Sequence, residues 1–107
     1  MTCTGLQPAM TRGSTFTLTY KLTAKAAVTL ALGAALYDES GADQADGTGD
    51  EDAVAFPAGT TSQTRQVLLP NSLVPGAYEV DGELWPPGTI GDGEPIKAGA
   101  CGDVTVR

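Results

Sequence analysis

The stretch Thr15-Phe-Thr-Leu-Thr-Tyr-Lys-Leu-Thr23 restricts the fold of this chain more than any other, because Phe16, Leu18, Tyr20 and Leu22 alternate with Thr15, Thr17, Thr19, Lys21 and Thr23. A period of two sets the apolar side chains on one face and β-branched threonines on the other, which is the pattern of a half-buried strand. Such a strand buries its apolar face only against others built the same way. Two more runs qualify: Val28, Leu30, Leu32, Ala34 and Leu36 share one parity, and so do Tyr78, Val80 and Leu84. The alanines and leucines of 26–37 would also suit a helix, but Gly33 in their midst costs a helix about 1 kcal/mol relative to alanine. A strand is therefore predicted, and its other face, Ala31, Gly33 and Ala35, leaves room for close approach by a neighbouring segment or a second protein.

The remaining elements follow from punctuation. Fourteen glycines and seven prolines in 107 residues favour many turns. Residues 1–14, with Pro8 and Gly13, are expected to be an irregular lead-in, and 38–52 a long loop. Ala53 to Phe56 forms a short strand stopped by Pro57. In the next strand Gln63, Arg65, Val67 and Leu69 alternate with Thr64, Gln66 and Leu68, so its first half is polar on both faces and belongs near an edge or rim. Pro70, Asn71, Pro75 and Gly76 turn the chain into the strand of Tyr78, and Pro86 with Pro87 ends that strand. Residues 86–100 make a second connection, with Ile90 and Ile96 as its anchors. Gly102 to Arg107 is a last strand with Val104 and Val106 inward. The expectation is one all-β domain over 15–107, an antiparallel sandwich of six to seven strands.

Net charge is −7, and seven of the thirteen acids (Asp38, Glu39, Asp43, Asp46, Asp50, Glu51, Asp52) crowd into 38–52 without a base among them. The six other acids balance the six bases. Scattered bases make no phosphate-binding patch, so nucleic-acid binding is not expected; membrane insertion is not expected either. The acidic loop is read as a solvated, solubility-promoting segment. Its alternative is a Ca2+ site in which Asp43, Asp46, Asp50 and Asp52 offer hard oxygen ligands. An EF-hand frame fails there: with Gly47 as the invariant glycine, Ala42 takes the first ligand position and Ala53 that of the bidentate glutamate.

Cys3 and Cys101 are the only cysteines and lie near opposite ends of the chain. They are either a disulfide that closes almost the whole chain or two separate small buried residues. A bond would place the protein outside the reducing cytosol, on a cell surface or a virion exterior. The segment after Met1 has neither a basic start nor an apolar core, so no signal peptide is read in it.

Leu-Pro-Asn-Ser-Leu-Val-Pro-Gly-Ala-Tyr-Glu-Val, at 69–80, resembles the entry into the penultimate strand of immunoglobulin-like and fibronectin type III-like modules. It is similar above all to the cell-adhesion-related (CARDB-type) accessory domains. The resemblance implies an immunoglobulin-like sandwich acting as a non-catalytic spacer or binding module, with a protein partner or neighbouring domain. The chain departs from antibody-type domains in two ways: its cysteines are not at the facing core-strand positions, and no tryptophan occupies the usual core strand.

Catalytic chemistry has little to build on. Histidine is absent, two cysteines supply at most two thiolates, and no phosphate-binding glycine loop with its lysine occurs. Glu79, Asp81 and Glu83 share a strand face at steps of about 6.5–7 Å, near the spacing of paired glycosidase carboxylates, but catalysis would also need a cleft. No enzymatic role is expected. Trp85, with Glu83 and Asp81, is the candidate contact for a glycan or a protein partner if it stands exposed at the strand end; otherwise it covers the rim of the sandwich.

Overall fold

The computed structural model describes residues 1–46, 53–90 and 93–107, and among these every regular element is a strand. In chain order they are β1 (Thr2–Thr4), β2 (Ala9–Met10), β3 (Thr15–Ala24), β4 (Val28–Tyr37), β5 (Asp43–Asp46), β6 (Ala53–Phe56), β7 (Gly59–Leu68), β8 (Gly76–Trp85) and β9 (Lys97–Val106). They form two sheets. The small sheet has the order β1-β3-β7; the large one runs β2-β9-β8-β4-β5, with β6 also on β4. All pairings are antiparallel except β2 with β9, which is parallel.

The alternation read from the sequence builds the core. From β3 come Leu18, Tyr20 and Leu22, from β4 Leu30, Leu32, Ala34 and Leu36, and from β8 Tyr78, Val80 and Leu84, all buried in one layer with Val104 and Val106. Residues 28–37 are a strand, as Gly33 argued. Tyr78 turns the corner into β8, its hydroxyl donating to the Val74 carbonyl at 2.6 Å.

The small sheet reaches across the layer to the backbone of β4. The Tyr20 hydroxyl donates to the Gly33 carbonyl at 2.6 Å, and the Arg65 guanidinium donates through Nη1 to the Leu32 carbonyl. Burial pushes the Tyr20 phenol up to about 12, with the opposing pull of the Arg65 charge smaller.

Four expectations change. Residues 1–14 are not wholly irregular: Thr2–Thr4 lines up with Thr19–Lys21, and Ala9–Met10 with Thr105–Val106, so neighbouring strand edges order a segment with no periodicity of its own. Within the acidic stretch, Asp43–Asp46 extends the large sheet beside Ala35 to Tyr37. The last strand starts at Lys97 rather than Gly102; its small residues pair with 80–84 across a register shift at Val80/Asp81. Ile96 does not anchor its connection, being 55% exposed, because it enters β9 at the rim.

Candidate interaction surfaces

Cys3 and Cys101 are bonded, joining β1 of the small sheet to β9 of the large one with their Cα atoms 4.6 Å apart. Gly82 makes the space. A Cβ on Gly82 would stand 3.0 Å from Cys3 Sγ, 3.2 Å from Cys101 Sγ and 3.0 Å from the Tyr20 ring. The missing side chain on β8 is thus what lets the bond and the tyrosine fill the same layer.

Asp81, Glu83 and Trp85 point away from that core, on the outer face of the large sheet, as their parity predicted. Register sets them against Ala35, Gly33 and Ala31 of β4. Trp85 nonetheless is not exposed. It is 4% accessible, and Ala31 and Ala35 beside it are 0% and 1%. Its indole lies over Gly33, where a Cβ would meet Nε1 at 2.8 Å and Cδ1 at 3.0 Å. The close approach allowed by the small face of β4 is therefore made by Trp85 itself. The exposed platform needed for glycan stacking is absent, and the tryptophan serves packing.

Asp81 and Glu83 are half-buried. A concavity beside the chain's first strands is lined by Gly5, Gln7, Met10 and Phe16, and another by Asp38, Glu39, Val74 and Tyr78; neither includes Asp81, Glu83 or Trp85. Among the described residues, Asp81 Oδ1 and Trp85 Nε1 are buried without a hydrogen-bond partner, as is Arg65 Nε. Burial raises the Asp81 pKa above its ordinary value of 3.8. Below that value the carboxyl is protonated in both states and folding is not penalised. As pH rises the unfolded chain ionises first, so stability falls until the folded-state pKa is passed. Asp81→Asn should therefore raise the melting temperature at neutral pH and leave it little changed in acid below 3.8. A variant less stable at neutral pH would show instead that the charged carboxylate is stabilised in the fold.

Of the calcium candidates, Asp43 and Asp46 lie on β5, in register with Tyr37 and Ala35. Asp50 and Asp52 fall outside the described residues. Among the described residues no group of three or more potential ligands gathers to hold a metal ion.

The small sheet carries a different surface. All thirteen acids lie in 38–52 and 79–103, so β1, β3 and β7 hold none. The outward side chains of β3 and β7 are mostly hydroxyl-bearing: Thr15, Thr17 and Thr23 beside Thr60, Ser62 and Thr64, all exposed, with Thr23 and Thr60 hydrogen-bonded at 2.8 Å. Among the described residues β7 pairs through ten positions with β3 and with no strand on its other side. Near its start, Gln63 Nε2 donates to the Ala55 carbonyl at 2.7 Å, tying it to β6. Beyond Gln63 the edge runs through Thr64, Gln66 and Leu68 with no proline and no outward charge. Proline and outward lysine are the devices that ordinarily guard an open edge. The sequence hinted at this strand through its polarity on both faces. Arg65 gave only its parity with Val67 and Leu69, which correctly points inward.

No family model and no curated protein matches the chain. Among solved structures it is similar to part of the Pseudomonas fluorescens alkylpurine DNA glycosylase AlkC, seen bound to DNA containing an abasic site analog. The TM-score is 0.61 at 18% identity, over 99% of this chain and 30% of that one. At this identity the likeness concerns the fold, which in that protein forms less than a third of a longer chain.

Proposed function

We propose that this chain is a non-catalytic, immunoglobulin-like structural and interaction module, of a surface protein or virus particle, which takes a protein partner along the free edge of β7. The immunoglobulin-like reading is supported by the strand order of the two sheets, the parallel pairing of β2 with β9, and the corner tyrosine Tyr78. The surface or virion setting is supported by the disulfide.

The interaction is carried by one observation: the part of β7 beyond Gln63, unguarded by charge or proline, is among the described residues the open edge of a sheet free of acids. Its outward N–H and C=O groups suit an extended segment of another protein, added as a further strand. Lys21 on the outer face makes an acidic or uncharged segment the better fit. DNA, the ligand in the AlkC structure, is not inferred for this chain: its six bases are dispersed, and Arg65 among them is buried.

The test is selection from a random linear peptide display library on the immobilised domain, followed by amide hydrogen exchange with an enriched peptide. Enriched peptides should protect β7 selectively. Failure to enrich any peptide, or protection elsewhere, would argue against this function.

A further inference from the structure

We infer that the cleft where the chain crosses from the small sheet to the large one is a binding site for a compact neutral polyol, a sugar unit of an uncharged glycan. It lies on the side of β3 away from β7 and does not depend on the proposed use of the β7 edge.

The crossing leaves two strand edges open, one in each sheet. β1 pairs with residues 19–21 of β3 and ends at Thr4; among the described residues no strand continues it beside 15–18. Leu69 N donates to the Ser14 carbonyl at 2.9 Å, which turns the even-numbered residues of this end of β3 toward β7. The N–H and C=O groups of Thr15 and Thr17 therefore point to the open side. Gly5 confirms the direction, since a Cβ placed on it would stand 2.1 Å from the Thr17 carbonyl oxygen. Across the cleft, β2 is the end strand of the large sheet. Thr105 N and Arg107 N donate to the Pro8 and Met10 carbonyls, each at 2.9 Å, so these residues face β9 and the backbone groups of Ala9 face away from it.

Between the two edges is a cavity of about 510 Å³, a volume within the range of small-molecule sites. Every residue that lines it falls between Gly5 and Thr17. Gly5, seated against the Thr17 carbonyl, closes one end. The turn from Thr11 to Ser14, in which Ser14 N and Oγ both donate to the Thr11 carbonyl, closes the other. A running strand would have to displace one of these ends, whereas a compact molecule displaces neither.

None of the lining residues is charged. Arg12, the base nearest in sequence, directs its guanidinium to the Arg107 and Leu73 carbonyls. Phosphates, acidic sugars and cations therefore meet no counter-charge in the cavity. What it offers is backbone N–H beside C=O from both edges, with the Gln7 amide and the Thr11 hydroxyl on its walls. Each hydroxyl of a polyol both donates and accepts, and so answers such mixed pairs. Half-buried Phe16 adds an apolar surface for the C–H face of a sugar ring.

Amide NMR spectra of the whole chain test this, titrated through the millimolar range with glucose, galactose, mannose and N-acetylglucosamine, and with glucuronate as the charged control. At least one neutral sugar should shift the amides of Thr15, Thr17 and Ala9 saturably, while glucuronate leaves them in place. No saturable shift at these amides with any neutral sugar would overturn the site. Equal shifts with glucuronate would overturn its selectivity for uncharged ligands. Capped tetraglycine shifting the same amides where no sugar does would make the cleft a strand acceptor and overturn the polyol. Gln7→Trp, at an exposed position on the cavity wall, should abolish the sugar-induced shifts and leave the rest of the spectrum intact; shifts that persist would place the sugar elsewhere. If this variant does not fold, the shift map of the unmodified protein carries the same decision.

Discussion

Replacing Cys3 and Cys101 together by alanine should lower the melting temperature on the order of 20 °C. The bond closes a loop of 98 positions, and in the chain-entropy estimate a loop of this size stabilises a fold by about 4–5 kcal/mol. For a domain of this size each kcal/mol shifts the melting temperature by about 4–8 °C. The bond also fills the layer over Gly82 beside the Tyr20 ring, so its loss removes packing as well as a constraint on the unfolded chain. Reduction of the unmodified protein should produce a similar shift without any substitution. A change of only a few degrees in both experiments would mean that the two sheets are held without help from the cross-bond.

Trp85→Ala should destabilise the domain by about 3–5 kcal/mol, the range for truncating a large buried aromatic. The indole is 4% exposed and seated on the bare backbone of Gly33, so no neighbour on that strand can move into the vacated space. Chemical denaturation read by circular dichroism measures the loss directly. A substitution within about 0.5 kcal/mol of wild type, the scale of an ordinary surface change, would return Trp85 to the exposed rim and reopen glycan stacking.

The contrast between Trp85 and Tyr20 shows what the sequence could carry. Both have parities that assign a face, and both assignments hold. Tyr20 lies in a run whose alternate residues are Phe16, Leu18 and Leu22, so its burial follows from the pattern. Trp85 lies on the face of Glu79, Asp81 and Glu83, where parity leaves it either exposed or covering the rim. Its burial arises because β8 sets it beside Ala31 and diagonal to Gly33, a register that no local pattern encodes.

The same physics separates the strands that were legible from those that were not. β3 and β8 have ten residues each with largely alternating burial, and β4 has ten whose apolar residues alternate in sequence although both its faces are buried. β1 and β2 have three and two residues and are strands only because Thr19–Lys21 and Thr105–Val106 present edges to them. In the first part of β9, the residues after Lys97 (Ala98, Gly99 and Ala100) have side chains too small for alternation to show. The disulfide was readable as one of two alternatives; its partner in packing, the space at Gly82, required the register of β8.

The free edge of β7 is the central claim, and hydrogen exchange resolved at single amides of the isolated protein tests it most directly. Amides of β7 that point toward β3 should be protected to the degree of those in the β8–β9 pair, while the alternate amides between Thr64 and Leu68 should exchange far faster. Uniform protection along 64–68 would show that the second edge is already occupied and would contradict the account.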